Sequence, residues 1–274
     1  MSVAERLGTA RIERAFAAAR AEGRLAVAVY LTVGYPALGA TGGLARAALD
    51  GGADLIELGV PFSDPLADGA TVQRASEAAL RNGTTLERCV EEAASLVRER
   101  DAAVLLMGYA NPFLRHRGGL AGFASDAARS GLGGIIVPDL PAEESAEFDA
   151  ALEPAGLARI SLYAPTTPDD RLARLVPLSR GFVYCVSLTG VTGARSALGS
   201  DVADFVGRVR RHTPLPIVVG FGISTPDHVR ALRGVADGVA VGSAALDAIG
   251  GAPRGREAGA LRDFVASLAA AGRP

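Results

Sequence analysis

Lysine is missing from this chain, and all 28 of its basic residues are arginine. Without a lysine amine no Schiff base can form on the chain, and no lysine can clamp a phosphate. Cysteine is nearly as scarce. Cys89 and Cys185 stand alone, with no CxxC and no framework of pairs, which argues against a disulfide scaffold and for reduced cytoplasm. The three histidines, His116, His212 and His228, fall in stretches that read as helical. They lack the ligand spacing of a zinc site, so no metal is expected. Excess charge is absent too: the net charge is −2, no footprint for nucleic acid or an anionic membrane. Apolar runs are strand-length and broken by Gly, Pro or charge, which argues against a membrane span. The opening segment MSVAERLGTARIERAF carries Glu5 and Glu13 and no apolar stretch, so no signal peptide is read. The expectation is a soluble cytoplasmic protein.

What the chain does have is a rhythm. Short apolar runs recur, each followed by a Gly/Pro/Asp-rich turn and then an amphipathic helical stretch. The expected strands span 25–33, 53–60, 102–109, 133–139, 157–163, 181–187, 216–222 and 237–243. Between them lie helical patterns such as TTLERCVEEAASLVRER, with Leu86, Val90, Ala93 and Val97 on one face. Pro141 suits the first position of a helix through AEESAEFDAAL. Alternating strands and helices imply a parallel sheet. Eight such units, with strands apolar on both faces, imply a closed (β/α)8 TIM barrel. An open doubly wound sheet is the competing architecture. No linker divides the chain, so residues 1–274 are read as one domain. The segment RIERAFAAAR adds a helix before the first strand, either seated at the barrel bottom or loosely attached.

In such barrels the chemistry lies in loops after the strands. Two of those loops, PFSDPLADG and LTGVTGARS, are longer than a minimal turn requires. On the second strand, alternation sends Ile56 and Leu58 towards the helices and Glu57 into the barrel near its mouth. A carboxylate there must find a partner or keep a proton, so Glu57 reads either as structural or as catalytic. Eleven residues on, Asp68 ends the loop, and its other reading is a turn or cap residue before Gly69. Two carboxylates converging on one mouth favour general acid/base work.

The run LIELGVPFSDPLADG (55–69) resembles the signature of tryptophan synthase α chains. LTVGYP (31–36), LLMGYANP (105–112), IVPDLP (136–141), YCVSLTGVTGAR (184–195), VGFGIS (219–224) and VGSA (241–244) extend the resemblance over almost the whole chain. The resemblance implies a lyase that cleaves indole-3-glycerol phosphate to indole and glyceraldehyde 3-phosphate, with no cofactor of its own. It makes Glu57 and Asp68 the catalytic acids and adds Tyr184, the tyrosine beside the glutamate, to the catalytic residues. It places Gly193, Gly222, Gly242 and Ser243 around the substrate phosphate, and Thr192 in a lid that meets Asp68. It puts Tyr30 in the indole pocket, where relatives often carry Phe, with Leu106 and Ile136 as apolar walls. The implied partner is a pyridoxal-phosphate β subunit in an α2β2 complex, docked over the second and third loops near Asp64, Pro65, Asn111 and Pro112.

The residues agree with that chemistry. A retro-aldol cleavage needs an electron sink, which ordinary aldolases find in a lysine Schiff base or a zinc ion. This chain has no lysine and no zinc spacing, so the substrate must be its own sink, as protonated indole is. Glu57 then shuttles protons between the side-chain hydroxyl and ring C3, with a pKa raised by burial. Asp68 accepts a hydrogen bond from the indole N–H. Gly-rich ends of strands seven and eight can turn bare amides towards a phosphate. A stand-alone lyase releasing free indole, a non-catalytic regulatory subunit and a different phosphate-binding barrel enzyme are the other functions to weigh. Members of the last class that need a catalytic lysine are excluded.

Overall fold

A computed structural model describes residues 3–186, 200–220 and 222–274. Eight parallel strands close in chain order into a barrel: β1 (Ala26–Thr32), β2 (Leu55–Gly59), β3 (Ala103–Met107), β4 (Gly134–Ile136), β5 (Ala158–Tyr163), β6 (Val183–Val186), β7 (Ile217–Gly220) and β8 (Gly238–Val241). Closure rules out the open sheet, because β1 pairs with β8 as well as with β2. Each strand lies inside its expected span. The strands are buried almost throughout, as a sheet covered on both faces demands.

Helices cover the outside. They are α1 (Val3–Ala21), α2 (Ala40–Asp50), α3 (Ala70–Arg81), α4 (Leu86–Arg100), α5 (Ala110–Leu114), α6 (Gly119–Arg129), α7 (Ala146–Leu152), α8 (Asp169–Leu175), α9 (Ser200–Arg210), α10 (Pro226–Ala231), α11 (Ser243–Gly250) and α12 (Glu257–Ala271). Helix α4 buries Leu86, Ala93 and Val97 of its expected face together with Cys89 and Leu96, while Val90 is only partly buried, and the Thr85 side chain caps it by accepting from the Arg88 amide. The expected helix after Pro141 is broken instead. A 3-10 turn (Ala142–Glu144) precedes α7, and the Ser145 hydroxyl bonds both the Ala142 carbonyl and Asp149.

Helix α1 closes the end of the barrel at which the strands begin. Its Ile12 and Phe16 are buried, and the Phe16 ring packs 5.4 Å from Phe182, one residue ahead of β6. Carboxylates at this end clip neighbouring strands. Asp54, just before β2, accepts from Arg24 at 2.7 and 2.8 Å and from the Val27 amide of β1 at 2.9 Å. Asp237, just before β8, likewise accepts from the Ile217 amide of β7 and from Arg210.

Register fixes which side chains face inward. Residues level with one another on parallel neighbours share a face, and the face alternates along each strand. Arg159 on β5 bonds Asp149 of α7, so its level faces the helices, and Ile135, Leu106 and Leu58 share that level. The next level, Tyr30–Glu57–Leu105–Gly134, therefore faces the barrel interior.

Candidate active site

Glu57 sits in the middle of β2, wholly buried and pointing inward. Neither carboxylate oxygen has a hydrogen-bond partner among the described residues. Burial alone pushes its pKa up to about 8, because the apolar surroundings penalise charge and nothing nearby compensates it. At neutral pH this side chain therefore holds a proton.

Two tyrosines flank it. Tyr30 is level with Glu57 on β1, and its hydroxyl accepts from the Thr32 hydroxyl at 3.3 Å. Tyr184 is buried on β6, and its phenol is pushed well up, first by burial and then by the charge of Glu57. Both rings need glycine beside them. A Cβ at Gly59 would lie 2.1 Å from the Tyr30 hydroxyl, and one at Gly220 would lie 2.2 Å from the Tyr184 hydroxyl. The glycines thus make room for two aromatic rings at the level of the acid.

Asp68 is half-buried in the loop between β2 and α3. It is not the cap of α3, a position held by Gly69. Burial raises its pKa to about 6, partly opposed by a hydrogen bond from the Tyr109 hydroxyl. The backbone of Asp68 is fixed as well, with its amide on the Pro65 carbonyl and its carbonyl on the Gln73 side chain.

Tyr109, two residues past β3, is the feature that sequence reasoning missed. Its hydroxyl accepts from the Ala67 amide at 2.9 Å while donating to Asp68, and its ring stacks on Phe62 at 5.1 Å. One side chain from loop three therefore braces the loop that carries Asp68. The signal was present in YANP, as a tyrosine at the very end of a barrel strand.

Other expected residues fall as follows. Ile136 faces inward, level with Met107 and Ile160. Leu106 does not: it lies at the helix-facing level set by Arg159, so it cannot wall the interior, and its neighbours Leu105 and Met107 face inward instead. The cause is the two-residue period of a strand, in which a one-residue error reverses the face. Gly222 has φ +85°, a conformation natural only to glycine. Gly242 precedes α11, and Ser243 begins it, on the loop after the neighbouring strand β8. Thr192 and Gly193 lie outside the described residues. Of the histidines only His228 is helical. His116 and His212 occupy turns after α5 and α9.

Comparison with known proteins gives one consistent match. The family described as tryptophan synthase alpha chain matches residues 16–270. The chain is 54% identical over 260 residues to the tryptophan synthase alpha chain of Roseiflexus castenholzii, covering 94% of this chain and 98% of that one. It is 48% identical over 262 residues to that of Chloroflexus aggregans, with 94% and 97% covered. Among solved structures, one of Mycobacterium tuberculosis tryptophan synthase superposes with a TM-score of 0.87 at 39% identity, covering 96% of this chain and 98% of that one. The alpha chain from Legionella pneumophila superposes with a TM-score of 0.85 at 30% identity, with 95% and 96% covered.

Proposed function

The chain belongs to the tryptophan synthase alpha chain family, and on that premise we propose that Glu57 and Asp68 carry its reaction. That reaction is the retro-aldol cleavage of indole-3-glycerol phosphate to indole and D-glyceraldehyde 3-phosphate in tryptophan biosynthesis. The observation that carries the assignment is the divergence of the two carboxyl groups. Glu57 has a pKa of about 8 and Asp68 of about 6, so near pH 7 one is an acid and the other a carboxylate.

The steps follow from those charge states. Glu57 gives its proton to C3 of the indole ring, and Asp68 accepts the indole N–H bond that strengthens as the ring turns cationic. The Glu57 carboxylate then takes the proton of the side-chain hydroxyl as the carbon–carbon bond breaks. The bonding pair returns to C3, restoring neutral indole, and the oxygen becomes the aldehyde carbonyl. One proton has moved from oxygen to carbon, and Glu57 ends as it began. Tyr184, held as a neutral phenol beside Glu57, and Tyr30 shape the pocket with Ile136. Gly222, Gly242 and Ser243 seat the phosphate where the loops after β7 and β8 meet, a common phosphate position in this fold. Thr192 and Gly193 are assigned to a lid and to the phosphate by resemblance alone.

Membership of the family implies a β-subunit partner. We assign the finer picture, an α2β2 complex with a pyridoxal-phosphate β subunit docked at the mouth, on two supports. The chain has no lysine for pyridoxal chemistry. Leu66, beside Asp64 and Pro65, is 93% exposed, and Leu114, beside Asn111 and Pro112, is also exposed, an apolar pair fit to be covered. Cytoplasmic placement suits Cys89 and Cys185, which are buried and unpaired. Residues 1–274 are taken to act as one barrel unit.

The test is the pH dependence of kcat/KM for indole release, which reports the free enzyme's acid and base. It should be bell-shaped, with limbs near 6 for Asp68 and 8 for Glu57. Asp68→Asn should lower kcat/KM by about 10² to 10⁴ and abolish the acid limb. A flat profile from pH 5 to 9 would remove both assignments.

A further inference from the structure

The catalytic pair uses none of the three histidines, yet one of them touches the turn assigned to the phosphate. His228 is half-buried on α10, and its ring reaches back over the preceding loop. Nδ1 lies 3.0 Å from the Gly222 carbonyl oxygen, 3.3 Å from the Ser224 amide nitrogen and 3.5 Å from the Ser224 hydroxyl. These contacts have opposite demands. The carbonyl needs a proton on Nδ1, whereas the Ser224 amide needs a lone pair there. A single ring nitrogen cannot satisfy both at once, so the state of the ring decides which backbone group it holds.

We propose that His228 is a positioning residue of the phosphate seat: with a proton on Nδ1 it pins the Gly222 carbonyl and releases the Ser224 amide to the substrate phosphate. The proposal rests on the assignment of Gly222, Gly242 and Ser243 to that phosphate. Without ligand, the lone-pair form occupies the Ser224 N–H and the seat is one donor short. A bound phosphate favours the other form, because it accepts the hydrogen bond of the freed Ser224 amide. Glycine is conformationally permissive at φ +85°, so the bond to Nδ1, not local sterics, is what fixes the Gly222 carbonyl.

The experiment uses the whole chain with its β subunit and takes inorganic phosphate, indole and indole-3-glycerol phosphate as probes. His228→Ala should raise KM for the substrate and Kd for inorganic phosphate roughly three- to tenfold, the worth of one lost hydrogen bond. The kcat should stay nearly constant, and indole affinity should not change. His228→Asn should restore phosphate affinity, because a carboxamide at this reach offers either a donor or an acceptor. In histidine-15N-labelled wild-type protein, the His228 Nδ1 signal should move from the lone-pair to the N–H type when phosphate is added. A purely structural role would not produce that shift. Gly242→Asp separates the two layers of the argument. If Gly242→Asp weakens phosphate binding while His228→Ala does not, or if the Nδ1 signal ignores phosphate, the role of His228 is wrong. If neither variant alters phosphate affinity, the seat itself is misplaced and the proposal falls with it.

Discussion

Asp54 and Glu57 are three residues apart at the same strand, one at its foot and one at its middle. Asp54 accepts two bonds from Arg24 and one from the Val27 amide. Glu57 accepts none among the described residues. The foot of the barrel spends its carboxylates on holding strands together, and Asp237 repeats the device between β7 and β8. Higher in the same barrel Glu57 is left bare, so the free energy that pairing would have gained is replaced by a proton kept at neutral pH. A residue type alone therefore says little; the bonds around it decide whether it stabilises or reacts.

The largest expected effect breaks the reactive side of that contrast. Glu57→Gln should lower kcat by about 10⁴ or more, since an amide cannot shuttle a proton. The same change should make the protein more stable. The folded value of about 8 lies above the unfolded one of about 4.3, so the native chain keeps a proton that the unfolded chain releases. Stability contributed by this group is full below about pH 4.3, and falls as pH rises towards 8. Glutamine escapes the loss, on the order of 3 kcal/mol at pH 7. Denaturant melts of the two proteins at pH 5 and pH 7.5 measure it, and a Glu57→Gln protein no more stable at the higher pH would speak against a bare buried acid.

Arg24→Ala tests the other side. It strands Asp54 in a largely buried position, so stability should fall by about 3 kcal/mol, as for other broken buried pairs. Turnover of the folded protein should be unchanged. A loss of kcat comparable to that of Glu57→Gln would erase the division between foot and mouth.

A smaller effect sharpens the comparison within the mouth. Tyr109→Phe removes the hydroxyl that bonds both Asp68 and the Ala67 amide. The acid limb of the pH profile should move up from about 6, because the bond that favours the Asp68 carboxylate is gone, and kcat/KM should fall about tenfold. An unshifted limb would show that Tyr109 only packs against Phe62.

Much of this was readable from the residues. Strands buried on both faces, with turns between them, announced a parallel barrel, and Glu57 stood out because one carboxylate interrupts an apolar strand. Other parts were silent for physical reasons. Leu105, Leu106 and Met107 are all apolar, so alternation carries no information there, and the register had to come from Arg159, two strands away on β5. Tyr109 and His228 act through contacts with other loops or turns, which spacing along the chain does not encode. The break after Pro141 depends on the hydroxyl of Ser145 finding a carboxylate on the next turn.

The bare acid can be observed directly. Infrared difference spectra, wild type minus Glu57→Gln, isolate the carbonyl stretch of one protonated carboxyl group and can be titrated from pH 4 to 9. A band that persists at pH 7 and disappears with a midpoint near 8 is the expected result. A midpoint in the ordinary carboxylate range, near 4.3, would mean that Glu57 is paired and ionised in the folded protein, and the reading of the mouth would be wrong.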